Sequence, residues 1–132
     1  MRRLILAGLF GALGGVVQAE TPLTPDALLD RLVGGAATFT NPTSGRLLGM
    51  EFFPSRQRSF WQGQDGECSW GDVTVDETTI CFRYDEAPDR LHCWLPFTDG
   101  DQIAYRSVDT GEVQTIAPRR QVDFACTDDL TS

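Results

Sequence analysis

Nine short runs rich in β-branched and aromatic residues fill the chain from residue 36 onward, and turn-forming residues separate them. The links are mostly two to five residues long, too short for the crossover helix that joins parallel strands. The pattern predicts a mainly β fold, an antiparallel meander of about eight strands that forms a small, partly or fully closed barrel. The candidate strands are residues 36–40, 46–53, 58–62, 68–75, 78–84, 90–97, 102–108, 112–117 and 122–126.

One short N-terminal helix is predicted ahead of the strands, over residues 25–33. Thr24 is a good N-cap residue, Pro25 suits the first helical position, and leucines follow at helical spacing. The pair Gly34-Gly35 ends the pattern, because glycine readily adopts the left-handed conformation that closes a helix.

Residues 1–19 are typical of a cleaved secretory signal peptide. Arg2-Arg3 give a positive start, residues 4–17 are apolar or glycine, and Val17-Gln18-Ala19 forms a cleavage site. The apolar run is about 14 residues, short of the roughly 20 that a membrane-spanning helix needs. We expect a periplasmic or secreted protein whose mature chain, residues 20–132, begins at Glu20 and forms a single domain.

Charge and composition exclude several classes of partner. The 132 residues include 11 basic residues, all arginine, and 19 acidic ones, which gives a net charge of −8. Nucleic acid is not an expected partner, because binding it requires a basic surface. The absence of lysine removes Schiff-base chemistry. No second apolar run reaches membrane length, so no transmembrane segment is expected in the mature chain.

The turns between the strands predict which residues lie opposite each other. Two-residue turns at 76–77, 99–100 and 110–111, and a loop centred on Ala87, bring one apolar residue from each of five strands into a transverse row. Phe82, on the same face, is expected to cover Gly71. We interpret the row as the floor of the core; it consists of Val73, Ile80, Trp94, Tyr105 and Ile116.

The four cysteines are predicted to form two disulfides, as an even number does in an exported chain. The loop centred on Ala87 places Cys81 opposite Cys93, within disulfide range. The preferred connectivity is therefore Cys81–Cys93 with Cys68–Cys126. Zinc spacing is absent from the sequence, so no metal and no cofactor is expected.

Residues able to perform catalysis are few. His92 is the only histidine, and the register places it opposite Phe82, where a partly buried, hydrogen-bonded histidine is the expected outcome. Nothing in the sequence ties Ser69 or Ser107 to it as a nucleophile. The acidic pairs lie in predicted turns, and Asp99-Gly100-Asp101 has too few oxygen ligands for a calcium site. We therefore expect a protein that is not an enzyme.

Two adjacent aromatic pairs suggest a contact surface. Neighbouring residues on a strand point to opposite faces, so one member of each pair must leave the core or lie under a loop. An exposed aromatic beside arginine resembles a protein-contact hot spot. The alternative is that the N-terminal helix covers the second face. The candidate partner-binding residues are Phe52, Phe53, Phe60, Trp61, Arg56 and Arg58.

The segment from Thr79 to Trp94 resembles a family of small secreted proteobacterial proteins of unknown function. Their shared features are a glycine, a strand ending in Cys-Phe-x-Tyr and a following Cys-Trp, matched here by Gly71, Cys81-Phe82-Arg83-Tyr84 and Cys93-Trp94. Glu51-Phe52-Phe53 and Leu32-Val33-Gly34 match two upstream features. The resemblance covers residues 32–117 and implies a calycin-like or half-barrel sheet with one disulfide. It implies no activity.

Three functional hypotheses follow. The first is an exported, non-catalytic binding or interaction module of the bacterial envelope, whose partner is a protein or a small apolar ligand. The second is an inhibitor of a lysozyme-like envelope hydrolase, in which the exposed acidic loop Asp99–Asp101 would extend into the active site of the hydrolase. The third is an accessory subunit of a larger envelope complex. An enzyme that uses His92 is the least favoured alternative.

The signal peptide gives the first testable prediction. Expression of the full chain in a bacterium with a periplasm should yield a protein in the periplasmic fraction whose N-terminal residue is Glu20. N-terminal sequencing and intact mass measure this directly. Recovery of the uncleaved chain from the cytoplasm alone would contradict it.

Overall fold

A computed structural model describes residues 19–126, together with Gly11 and Gly14. The predicted signal peptide therefore lies almost wholly outside the described residues, as does the segment 127–132. In the described part of the chain, no helix is long and apolar enough to cross a membrane.

Eight of the nine predicted strands form, each within two residues of its expected bounds. A further two-residue strand, which the sequence did not predict, precedes the helix. In chain order the elements are β1 (Thr21–Pro22), α1 (Pro25–Leu32), β2 (Ala36–Thr40), β3 (Leu47–Phe52), β4 (Arg58–Gly63), β5 (Cys68–Val75), β6 (Ile80–Tyr84), β7 (His92–Asp99), β8 (Gln102–Ser107) and β9 (Val113–Arg119).

Strands β2 to β9 form a closed antiparallel barrel, which confirms the predicted meander. Each strand pairs with the next along the chain, and β2 also pairs with β9, from Ala36 opposite Arg119 to Thr40 opposite Thr115. The hydroxyl groups of Thr40 and Thr115 hydrogen-bond to each other across this seam. Because the barrel is closed, each of the eight strands has a paired neighbour on both sides. None of them is therefore a fully unpaired edge strand, which in an open sheet can pair with another chain and aggregate.

The predicted ninth strand, residues 122–126, is wrong, because this segment pairs with no strand of the barrel. The segment crosses the outside of β4 instead. The Phe124 ring packs edge-on against Phe60 at a centroid distance of 5.4 Å. The Ala125 N–H donates to the side-chain oxygen of Gln62 at 2.7 Å.

The predicted pairing of β6 with β7 is confirmed, with Ile80 opposite Trp94 and Cys81 opposite Cys93. The other three predicted registers are wrong by two residues. Val73 lies opposite Phe82, Tyr105 opposite Pro96, and Ile116 opposite Ile103.

A turn longer than expected explains the first of these shifts. The Asp76 carboxylate accepts hydrogen bonds from the backbone N–H groups of Thr78 and Thr79, and Asp76 N–H donates to the Thr79 carbonyl oxygen. A displacement by two residues keeps every side chain on its original face. Four members of the predicted row are accordingly buried and Trp94 is half-buried against the core.

Helix α1 closes one end of the barrel. The Thr24 side chain caps it by accepting from Ala27 N–H at 3.2 Å, and its buried leucines Leu28, Leu29 and Leu32 join the central core. After the helix, Gly34 has a φ of 85°, the left-handed conformation that favours glycine. Its N–H donates to the Phe53 carbonyl oxygen, which ties the helix end to the end of β3.

Both predicted disulfides are present. Cys81 and Cys93 join β6 to β7 with their Cα atoms 4.1 Å apart. Cys68 and Cys126 join β5 to the C-terminal segment with Cα atoms 6.5 Å apart. No cysteine in the described residues is free.

We expect loss of the longer cross-link to lower stability more than loss of the shorter one. The sequence separations are 58 and 12 residues, which correspond to about 4 and about 3 kcal/mol of loop-closure entropy as upper figures. The paired variants Cys68→Ala/Cys126→Ala and Cys81→Ala/Cys93→Ala test this by urea unfolding. Peptide mapping under non-reducing conditions that found any other pairing would contradict the assignment.

Candidate functional site

An open cavity of about 550 Å³ lies at the end of the barrel opposite the helix. Its walls come from the ends of β4, β6 and β8 and the starts of β5, β7 and β9, which meet at this end of an antiparallel meander. The volume falls in the range of small-molecule sites. The principal side chains of the wall are Trp61, Tyr84, His92, Trp94, Tyr105 and Gln114.

The aromatic wall is held by contacts between its own rings. Trp94 stacks on Tyr105 with centroids 4.1 Å apart and an interplanar angle of 14°. Trp61 packs edge-on against the buried Phe39 at 5.6 Å. Tyr84 lies 6.0 Å from His92. These rings therefore present a fixed, mostly apolar surface to the cavity.

Two glycines make room for aromatic rings on the barrel wall. A Cβ atom on Gly49 would collide with the indole ring of Trp61, so this ring lies directly against the backbone of β3. A Cβ on Gly71 would come within 2.8 Å of the Tyr84 ring. The prediction that Phe82 covers Gly71 is therefore wrong. Tyr84 does so, because the two-residue register shift places it opposite that glycine.

A buried carboxyl group, that of Glu51, lies inside the barrel. Glu51 is only 1% exposed, and its neighbour across the strand pair is Trp61. Its Oε1 accepts a hydrogen bond from the Ser59 hydroxyl at 2.6 Å and another from the Tyr84 hydroxyl at 2.8 Å. Since the Tyr84 ring also lines the cavity, Glu51 is one hydroxyl group away from it.

Burial raises the pKa of Glu51 to about 7, and the hydrogen bonds from Ser59 and Tyr84 only partly oppose this. Burial likewise raises the pKa of Tyr84 well above its ordinary value, so this phenol remains a neutral donor. From the sequence, Glu51 was notable only as part of a family resemblance. The signal that could have revealed its burial is its place between Gly49 and Phe53 on one face of a strand.

Exposed acidic side chains surround the mouth of the cavity. Asp65, Glu67 and Glu86 contribute to its lining, and the Asp65 carboxylate accepts from Glu67 N–H at 3.0 Å. No arginine lines this cavity in the described part of the chain. The charged lining of the mouth is therefore anionic.

The predicted aromatic contact surface does not form. Phe53 and Phe60 are at most 1% exposed, so neither can meet a partner. Phe60 lies beneath the C-terminal segment, which agrees with the expectation that one residue of each aromatic pair leaves the core or lies under a loop. Trp61 belongs to the cavity wall. Phe52 is half-buried. The large apolar side chains exposed among the described residues are all aliphatic.

Both arginines of the predicted surface bind carboxylates within the chain. Arg56 contacts Asp26 and Asp30 of α1 at 2.9 and 2.8 Å. Arg58 contacts Asp72 and Asp85 at 2.8 and 3.1 Å. These ion pairs tie the β3–β4 loop to the helix and link three strands, which leaves no free guanidinium at this surface.

His92 and Ser69 both line the cavity, and no hydrogen bond joins them in the described part of the chain. His92 lies opposite Phe82, as predicted. The Ser69 hydroxyl donates to the Trp70 carbonyl oxygen at 3.3 Å. Within residues 19–126, no group of three or more His, Cys, Asp or Glu side chains is placed to hold a metal ion.

Comparison with known proteins yields no relative, since no family model, curated protein or solved structure matches the chain. The resemblance to small secreted proteobacterial proteins stays a prediction. The function must therefore be argued from the cavity itself.

The raised pKa of Glu51 predicts a pH-dependent stability. The pKa of its carboxyl group rises from an ordinary value of 4.5 to about 7 on folding, so between these values the folded state binds more protons than the unfolded state. The free energy of unfolding should therefore fall as pH rises from about 4.5 to about 7, by up to roughly 3 kcal/mol.

Urea unfolding of wild type and Glu51→Gln at pH 5 and pH 8 measures this effect. The amide has the same shape but does not ionise, so the variant should lose that part of the pH dependence. Glu77→Gln, in the exposed turn after β5, is the matched control and should behave as wild type. An equal pH dependence in wild type and Glu51→Gln would contradict the assignment.

Proposed function

We propose that this protein is an exported, non-catalytic binding protein that takes one small, largely apolar organic molecule into the open end of its barrel. The observation that carries the proposal is the cavity of about 550 Å³ with its fixed aromatic wall. An eight-stranded barrel is just wide enough to hold one small ligand. A concave apolar surface with a few polar groups is the usual form of such a site.

The polar groups of the cavity suit the orientation of a ligand rather than its conversion. Ser69, Gln114 and His92 place a hydroxyl, an amide and an imidazole around the aromatic wall. The amide oxygen of Gln114 accepts from the Tyr105 hydroxyl at 3.5 Å. These groups can pair with ligand atoms, and no Ser–His contact within the described chain supplies a nucleophile.

Export is proposed on two grounds. The first is the signal peptide pattern at residues 1–19. The second is the pair of disulfides, which persist in oxidising compartments. Glu20, the expected first residue of the mature chain, binds Arg106 through both its carboxylate oxygens, at 2.9 and 3.1 Å.

The small ligand is favoured over a protein partner, because three of the four aromatic residues expected to contact a protein are buried or line the cavity, and the fourth, Phe52, is half-buried. The inhibitor hypothesis concerns Asp99 and Asp101, which are exposed in the turn between β7 and β8. It stays a prediction, as does the role of accessory subunit.

Binding of a small apolar probe should depend on Trp61 and Trp94, which line the cavity, and not on Trp70. The neutral fluorescent amine N-phenyl-1-naphthylamine should bind wild type with a gain in emission. Trp61→Ala should weaken binding by about tenfold, since a buried aromatic side chain contributes roughly 1.5–3 kcal/mol. Trp70 lies on the outer face of β5, where Arg58 stacks on it, so Trp70→Ala is the matched control.

Two measurements check this prediction. Probe titration gives the dissociation constants, and circular dichroism verifies that each variant keeps its sheet. Absence of probe binding to wild type would overturn a ligand-binding cavity. An equal loss in Trp61→Ala and Trp70→Ala would place any bound probe elsewhere.

A further inference from the structure

We infer that the cavity selects an organic cation, a molecule with an aromatic or aliphatic body and a protonated amine or quaternary ammonium group. This inference rests on the proposed function and names its ligand class. Three observations support it: the aromatic rings of the cavity wall, the buried carboxyl group of Glu51 behind the Tyr84 hydroxyl, and the sign of the charge at the cavity mouth.

The aromatic wall is suited to a cation. The faces of indole and phenol rings carry negative electrostatic potential, and they attract an ammonium group within about 6 Å of the ring centroid. Trp61 and Trp94 contribute two indoles and Tyr84 and Tyr105 two phenols to one cavity. Several rings around one space are the form in which proteins recognise alkylated ammonium groups.

Glu51 is a buried acid beneath this wall, and no cationic side chain of the described residues pairs with it. Its two hydrogen bonds both end on Oε1 and come from neutral hydroxyl groups, while Oε2 accepts none from the described residues. No arginine forms an ion pair with Glu51 in the part of the chain that the structure describes. A buried carboxylate without a counter-charge is costly, and a bound cation would offset that cost.

The charged groups at the mouth of the cavity also favour a cationic ligand. Asp65, Glu67 and Glu86 are exposed there, and the whole chain has a net charge of −8. Such a field attracts cations toward the opening and repels anions. Neutral and anionic molecules of the same shape should consequently bind more weakly.

Three ligands that share a phenylalkyl body and carry a cationic, a neutral and an anionic head group test the inference. Isothermal titration calorimetry at pH 7.5 and low salt would compare 4-phenylbutylamine, 4-phenylbutan-1-ol and 4-phenylbutyrate. The amine should bind about tenfold more tightly than the alcohol, and the acid more weakly than both. Raising the salt concentration should narrow the difference, because the groups at the mouth are exposed.

Variants locate the source of the preference. Glu51→Gln should reduce the ratio of amine to alcohol affinity at least threefold, whereas Glu77→Gln, at the helix end of the barrel, should leave it unchanged. If Glu51→Gln does not fold, the exposed pair Glu67→Gln/Glu86→Gln provides the same comparison at the mouth.

The outcomes separate the two proposals. Alcohol binding as tight as amine binding overturns the cation preference and leaves the binding function intact. A preference that survives unchanged in every folded variant of Glu51, Glu67 and Glu86 overturns its assignment to the cavity. If none of the three molecules binds and the neutral naphthyl probe does not bind either, the proposed function itself is overturned.

Discussion

The antiparallel pairing of β2 with β9 is the interaction on which the rest of the structure depends. Five residue pairs, from Ala36 with Arg119 to Thr40 with Thr115, convert a meander into a barrel. Closure creates a single interior that inward side chains from all eight strands must share. The C-terminal segment forms no strand and packs against the outside of this barrel through Phe124.

With the barrel closed, the position of one helix decides which end of the barrel stays open. The apolar face of α1 fills one end with leucines, and the hydrogen bonds between Gly34, Gly35 and Phe53 hold it there. The opposite end has no comparable cover among the described residues. Aromatic side chains line it without filling it, and the remaining space is the candidate binding cavity.

The sequence predicts much of this fold, because turns and alternation are local properties. The strands, the helix cap and the face of each core residue follow from neighbours a few positions apart. The registers of three hairpins do not, since a two-residue displacement preserves the alternation and only the detailed turn, such as that of Asp76, distinguishes the alternatives.

The site was harder to predict for a related reason. Strand alternation says which residues face inward, but not which of them the closed barrel leaves uncovered. Glu51, an acidic residue on an otherwise apolar strand face, becomes meaningful only when Ser59 and Tyr84 are seen to donate to it. Of the aromatic residues assigned to an outer surface, Phe53 belongs to the core and Trp61 to the cavity wall, because closure turns one face of every strand inward. Phe60 lies on the outer face but is covered by the C-terminal segment.

The absence of a side chain at Gly49 has a consequence for the evolution of this barrel. The Trp61 indole rests on bare backbone there, so even a methyl group would collide with the ring and with the Gln62 carbonyl oxygen. The shape of the proposed binding cavity thus depends partly on Gly49, a residue that is not part of its lining. A lineage that replaced this glycine would have to rebuild that part of the wall, even if every residue lining the cavity stayed the same.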